Sequence, residues 1–317
     1  MEKRVIFDTH CDTIFECYEK GVDFCDSSLA FNLIDALEKG HYIQTLAAYV
    51  RPSHENTKDG FEAANRLIEE FGRQKELFAD KIDWITKGED FEKVVSANKV
   101  GIMLSIENST AIDGKLENVD CFYEKGVRMM PVSYSPDNQI ASGCETKNDR
   151  GLTSLGKKYI KKVLEKGMAV DVSHTSEKSF FDVMKITDQP IIASHSNVRK
   201  LCSHVRNLTD EQIKEIAKSG GVIGMCYCSY FLDESGVADS NDLVRHIDYI
   251  ANLVGIDYIG LGSDFDGLDE EEKLKDIQKV KDIDILFDKL KQKGYSQEDI
   301  NKIAGGNMIR VFQKILK

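Results

Sequence analysis

Proline is scarce in this chain of 317 residues, with four in all, and tryptophan occurs once. With so few prolines, no low-complexity tract and no internal repeat, a stiff Pro-rich linker between modules is excluded. Basic charge is in deficit: 42 Lys and Arg stand against 54 Asp and Glu, for a net charge of −12. No field of that sign gathers phosphate backbones, which argues against sequence-independent nucleic-acid binding and for a small-molecule substrate. Long apolar runs are missing as well, so no membrane span is expected. The opening MEKRVIFDTH runs into a candidate strand instead of a secretory apolar core, and the closing NMIRVFQKILK reads as an amphipathic helix without a lipid-anchor signal. The expected location is the cytoplasm. Eight cysteines are scattered without a repeated C-x-x-C frame, the pattern of reduced thiols in ordinary packing positions. Only Cys226-x-Cys228 could share a strand face and hold a soft metal, and a buried free thiol is the commoner fate.

What is present is a globular balance, 41% hydrophobic and 30% charged residues. Eight short apolar runs rich in β-branched residues begin near residues 4, 43, 100, 127, 168, 190, 221 and 258. Helical spacing lies between them, as in Asn65–Phe78 with Leu67, Ile68, Phe71 and Leu77, and in Leu155–Glu165. Thr209-x-x-Gln212 is a capping box opening a helix over Asp210–Lys218, and Gly220 and Gly221 stop it. KIDWI (Lys81–Ile85) is a candidate extra strand. Strands alternating with helices and apolar on both faces predict a parallel sheet closed into a (β/α)8 TIM-type barrel, with an open doubly wound sheet as the alternative. The chain is expected to be one domain, 1–317, with helical insertions around 51–99 and 267–294.

The apolar runs end in metal-ligand chemistry. RVIFDTHCDT carries His10-x-Asp12, whose period-two spacing points both side chains to one face. VGIMLSIEN ends in Glu107, GMAVDVSHTS delivers His174, PIIASHSN delivers His195, and YIGLGSDFDG ends in Asp264. These belong to the first, third, fifth, sixth and eighth runs, and only a closed barrel brings so many non-adjacent strand ends to one point, at its C-terminal mouth. Two cations roughly 3.5–4 Å apart need a shared ligand, and Glu107 with its two oxygens is the natural bridge. His10 and Asp12 complete one site, His174 and His195 the other. Nitrogen and carboxylate ligands without thiolate suit zinc, with manganese, iron and cobalt also compatible. Such a pair makes a hydroxide nucleophile from a bridging water and polarises a carbonyl. Asp264 is the expected proton shuttle, with Asp266 as its rival. His41, His54, His204 and His246 lack the strand-end context and are expected at the surface or behind the ligands.

Taken together, DTHCD, SIEN, VDVSHTSEKSFFDV, PIIASHSNVRKLCSHVRNLTDEQI, GGVIGM and IGLGSDFDG resemble the membrane dipeptidase (renal dipeptidase) family of binuclear zinc peptidases. The likeness runs from about Ile6 to Phe312, in the family's order. It implies His10, Asp12 and Glu107 on one zinc, Glu107, His174 and His195 on the other, and Asp264 in proton transfer. Arg206 falls on an arginine that holds the substrate's C-terminal carboxylate, where a planar guanidinium with two parallel bonds favours dipeptides. The resemblance also implies a homodimer and tolerance of a D-residue at the C-terminal position. One position departs: Tyr134 stands where renal members place a substrate-contacting histidine, and a hydroxyl can donate one hydrogen bond but carries no positive charge. The segment after Asp266 differs too, and the renal lipid anchor is absent, as in soluble bacterial-type members. The expected activity is dipeptide hydrolysis. Hydrolysis of another amide, lactam or lactone, or dipeptide binding with weakened catalysis, are the other readings.

Overall fold

The computed structural model describes residues 4–51 and 59–316. Within them the strands are β1 (Val5–Cys11), β2 (His41–Tyr49), β3 (Ile82–Trp84), β4 (Val100–Glu107), β5 (Val127–Pro131), β6 (Ala169–Asp171), β7 (Ile192–Ala193), β8 (Val222–Met225) and β9 (Ile259–Leu261). Every ladder between them is parallel. Eight strands follow one another as β1, β2, β4, β5, β6, β7, β8, β9, and β9 returns to β1, so the sheet is a closed barrel and not an open one. The longest seam runs from Ile43 opposite Gly101 to Tyr49 opposite Glu107. The extra strand expected from KIDWI is β3, which pairs with β4 at Val100 to Ile102, short of the point where β5 takes over at Leu104.

Helices cover the barrel, and their boundaries follow local chemistry. The capping box of Thr209 and Gln212 forms, and Gly220 ends that helix at φ 77°. The helix read over Asn65–Phe78 is longer, Gly60–Leu77. The expected helical stretch after residue 267 is helical only from Val280, in one 3-10 turn and then in Asp284–Lys293. Its first half is fastened to neighbours: Leu274 and Ile277 are buried, Asp276 accepts bonds from Ser240, and the Glu272 carbonyl accepts Ser229 N–H. Tertiary contacts there outweigh the helical charge pattern.

Below the mouth the barrel is filled by Phe7, Ile43, Met103, Met129, Ile192 and Val222. The C-terminal helix Asn307–Ile315 plugs the floor, with the Phe312 ring 5.4 Å from Phe7. At mid-height two glycines allow a close approach. A Cβ at Gly224 or Gly262 would sit 2.0 or 1.8 Å from the Ser194 carbonyl oxygen. That same oxygen accepts Thr9 Oγ1 at 2.8 Å. The backbone carrying His195 is therefore bonded to β1 and packed closely against β8 and the residue that follows β9. No helix of the described residues is long and apolar enough to cross a membrane.

Candidate metal centre

The strand ends bring the anticipated side chains together. From β1, His10 Nε2 lies 3.6 Å from Asp12 Oδ2, 3.5 Å from Glu107 Oε2 and 3.6 Å from Asp264 Oδ1. Glu107, the last residue of β4, turns its other oxygen to the far side, with Oε1 3.0 Å from His174 Nε2 and 3.8 Å from His195 Nε2. Those two imidazole nitrogens are 2.9 Å apart. Three triads emerge whose ligand atoms lie within 4.8 Å of one another: His10, Asp12 and Glu107; Glu107, His174 and His195; and His10, His195 and Asp264. Glu107 thus faces both pairs of partners.

The residues fit divalent cations on their own physical chemistry. Asp12, Glu107 and Asp264 form a cluster of acids, the first two buried and the third nearly so, and among the described residues only histidines lie within ion-pair distance of them. Such a cluster is costly unless positive charge joins it. His10 Nδ1 and Nε2 and Asp12 Oδ1 are buried without a hydrogen-bond partner among the described residues. Buried polar atoms are ordinarily satisfied, so orphans converging on one point ask for a ligand.

Protonation follows the surroundings. Burial, with Arg206 nearby, pushes His174 down to about 3, and burial holds His195 well below its usual range. Both are neutral, the form that binds metal. Burial would raise Glu107, but His10 beside it prevails and holds the carboxylate ionised. Burial and the Glu107 charge lift Asp12 to about 8. Burial, opposed by His10, lifts Asp264 to about 6. A bound cation would reverse the upward shifts of the two aspartates.

Residues behind the imidazoles orient them. Ser194 Oγ donates to Asp171 Oδ2 at 2.6 Å and so accepts from His195 Nδ1 at 2.7 Å, leaving the Nε2 lone pair on the centre. Ser135 Oγ stands 3.0 Å from His174 Nδ1. Asp171 and Ser135 escaped the sequence reading; the one available signal was a lone acid inside a strand apolar on both faces. Among the described residues, five that are not glycine have positive φ, and four border this site: Asn108, His174, Asp264 and Asp266. Backbone held there at such cost is typical of functional positions.

Asp266 does not compete with Asp264. Its Oδ1 accepts Ala30 N–H at 2.7 Å, and its Oδ2 accepts Thr13 Oγ1 at 2.5 Å and Phe31 N–H at 3.2 Å. Asp264 keeps Oδ1 toward His10, and Oδ2 is 3.7 Å from Cys226 Sγ. Cys226 and Cys228 are buried free thiols, and neither joins a ligand triad among the described residues.

The mouth opens into a cavity of about 670 Å³. Arg206 lines it while largely buried, donating from Nη2 to the His195 carbonyl at 3.0 Å, with its guanidinium 5.4 Å from the Phe231 ring centre. Its Nε has no partner among the described residues. Tyr134 lines the cavity with its ring stacked on His174, centroids 4.4 Å apart. His204, expected at the surface or behind the ligands, is half-buried on the cavity wall against Phe231. His246 is neither at the surface nor behind the ligands. It is fully buried, where its Nδ1 accepts Val198 N–H and its Nε2 pairs with the Leu232 carbonyl. His41 starts β2 at the opposite end of the barrel, and His54 lies outside the described residues.

A closed parallel barrel whose C-terminal mouth gathers imidazoles and carboxylates defines the class, a (β/α)8 barrel with a metal-type centre. The model of the membrane dipeptidase family (peptidase family M19) matches residues 1–317, and the chain belongs to that family. An uncharacterized protein in the pqqA 5' region of Klebsiella pneumoniae is 35% identical over 236 residues, 71% of this chain and 86% of that one. Dipeptidase tcpJ of Claviceps purpurea (strain 20.1) is 27% identical over 266 residues, 83% of this chain and 61% of the relative, so less than two thirds of that protein is spanned. In fold, the chain resembles a metallo peptidase of Rhodobacter sphaeroides liganded with a phosphinate mimic of the dipeptide L-Ala-D-Ala, with a TM-score of 0.90, 22% identity and 99% of each chain covered.

Proposed function

We propose that this protein is a zinc-dependent dipeptidase that accepts either hand of residue at the C-terminal position of its substrate. The observation that carries the reading is Glu107, which directs one oxygen to His10 and the other to His174 and His195. That is the arrangement a bridging carboxylate between two cations requires. When bound, two such ions supply an acidified water and a Lewis acid for the peptide carbonyl. His10 and Asp12 would hold one of them and His174 and His195 the other.

The remaining work falls to the chain's own groups. Arg206 receives the substrate carboxylate, since it lines the cavity with a planar guanidinium suited to two parallel bonds. This anchor measures length: a third residue would put an amide where the guanidinium expects a charge. Asp264, unlike Asp266, has an oxygen free toward the centre, so it takes a proton from the attacking water and passes it to the leaving amine. Tyr134 remains a neutral donor, since burial and the Glu107 charge hold its hydroxyl protonated. The liganded Rhodobacter sphaeroides fold relative supports the dipeptide reading and the D-residue.

Elemental analysis of purified protein, followed by a hydrolysis screen over dipeptides and tripeptides that includes L-Ala-D-Ala, tests the proposal. Expected are about two zinc ions per chain and cleavage of dipeptides alone. A fully loaded protein that cleaves no dipeptide but opens a cyclic amide or a lactone would overturn it.

A further inference from the structure

The cavity has two chemically different sides, and the ring order of the barrel places them opposite one another. Arg206 follows β7 and Phe231 follows β8. Counting around the ring, β2 is four strands from β7 in either direction. The β2 side is aromatic. Phe15, from the helix Thr13–Lys20, meets Tyr49 at the end of β2 edge-on, with centroids 5.6 Å apart. Tyr49 meets Tyr134 at 5.5 Å, and Tyr134 stacks on His174 at 4.4 Å. All three rings line the cavity, so a continuous wall runs from the rim to the edge of the metal centre.

Among the described residues, the charges bordering this wall are matched with each other. Arg51 sits 4.7 Å over the Phe15 ring and pairs with Glu19 at 3.2 Å, and Lys20 pairs with Glu16. A charged substrate side chain arriving there would lose water and find no free counter-ion among the described residues.

We infer that the Phe15, Tyr49 and Tyr134 wall is the subsite for the substrate's N-terminal side chain, and that it selects aromatic and large aliphatic residues. The inference rests on the proposed dipeptidase reading, because it is the carboxylate at Arg206 and the scissile carbonyl at the centre that direct the first residue toward β2. Faces of Tyr and Phe rings offer apolar area and offset stacking to an aromatic guest, and neither to an acid. Phe15, Tyr49 and Tyr134 act here as specificity-determining residues.

The test uses zinc-loaded full-length protein and phosphinate dipeptide mimics that differ only in the first side chain: benzyl, methyl or carboxyethyl. Binding is read by calorimetry, with kcat/KM for L-Phe-L-Ala, L-Ala-L-Ala and L-Glu-L-Ala measured alongside. The benzyl mimic is expected to bind at least about tenfold tighter than the methyl one, with the carboxyethyl mimic weakest. Tyr49→Ala and, independently, Phe15→Ala should each shrink the benzyl-to-methyl ratio by about threefold or more. Equal affinities, preference for the acidic mimic, or a ratio unmoved in both variants overturns the inference while dipeptide cleavage persists. A protein that binds no mimic and cleaves no dipeptide overturns the parent reading, and this one with it.

Discussion

Asp171 and Ser194 are joined twice: Ser194 N–H donates to Oδ1 at 3.0 Å, and Ser194 Oγ donates to Oδ2 at 2.6 Å. The pair bridges β6 to the end of β7 and sets the tautomer of His195. A buried carboxylate two steps from the cluster thus acts on it without touching it. Asp171→Ala should weaken metal binding by about 10–100-fold, the usual loss for a residue that orients a metal-bound histidine. Competition against a graded series of chelators measures it, and an unchanged affinity would show that the relay does not orient the ring.

Glu107 and His10 should differ in kind. Because Glu107 faces both sets of partners, Glu107→Ala should leave well under one metal ion per chain, whereas His10→Ala should retain about one. Elemental analysis after exhaustive dialysis separates the two. Loss of one ion only in Glu107→Ala would deny the bridging role.

Arg206 should be irreplaceable by lysine. Its planar fork is held by the His195 carbonyl and the Phe231 ring, and a compact ammonium reproduces neither contact. Both Arg206→Lys and Arg206→Ala should lower kcat/KM on dipeptides by about 10²-fold or more, a loss of about 2.7 kcal/mol or more. Dipeptide amides, which lack the carboxylate, should be poor substrates of the parent enzyme and little affected by either change. Steady-state kinetics on both substrate types provides the check.

His246 links stability to pH at a distance from the centre. Burial pushes its pKa down to about 4, against about 6.5 in an unfolded chain. Between those values the unfolded state binds a proton that the folded state does not. Its contribution is therefore complete above pH 6.5 and is lost as the pH falls toward 4, by at most about 3 kcal/mol. Urea midpoints of metal-free protein measured across that window should fall with acid, and less steeply in His246→Gln. Identical slopes in the two proteins would remove His246 as the source.

Much of the fold can be read from particular residues. Each apolar run overlaps a barrel strand, and the capping box of Thr209 and Gln212 marks a true helix start, because alternation, burial and caps are local properties. The stretch after Gly267 is a different case. Its charges look like a helix face, yet buried Leu274 and Ile277 and the bonds to Ser229 and Ser240 hold its first half in an irregular path. His246 departs from a surface position for a related reason. It ends no strand, and only its bonds to the distant Val198 and Leu232 decide that it is buried.

By itself the sequence determined that strands and helices alternate and that His10, Asp12, Glu107, His174, His195 and Asp264 stand where apolar runs give way to polar ones. Those are one-dimensional patterns, set by the two-residue period of a strand and by which side chains water will accept. The tertiary structure alone decided that β2 meets β4 and β9 meets β1, that Asp264 and not Asp266 has an oxygen free, and that aromatic rings face Arg206 across the mouth. Each depends on contacts between residues far apart in the chain, whose distances no local spacing encodes.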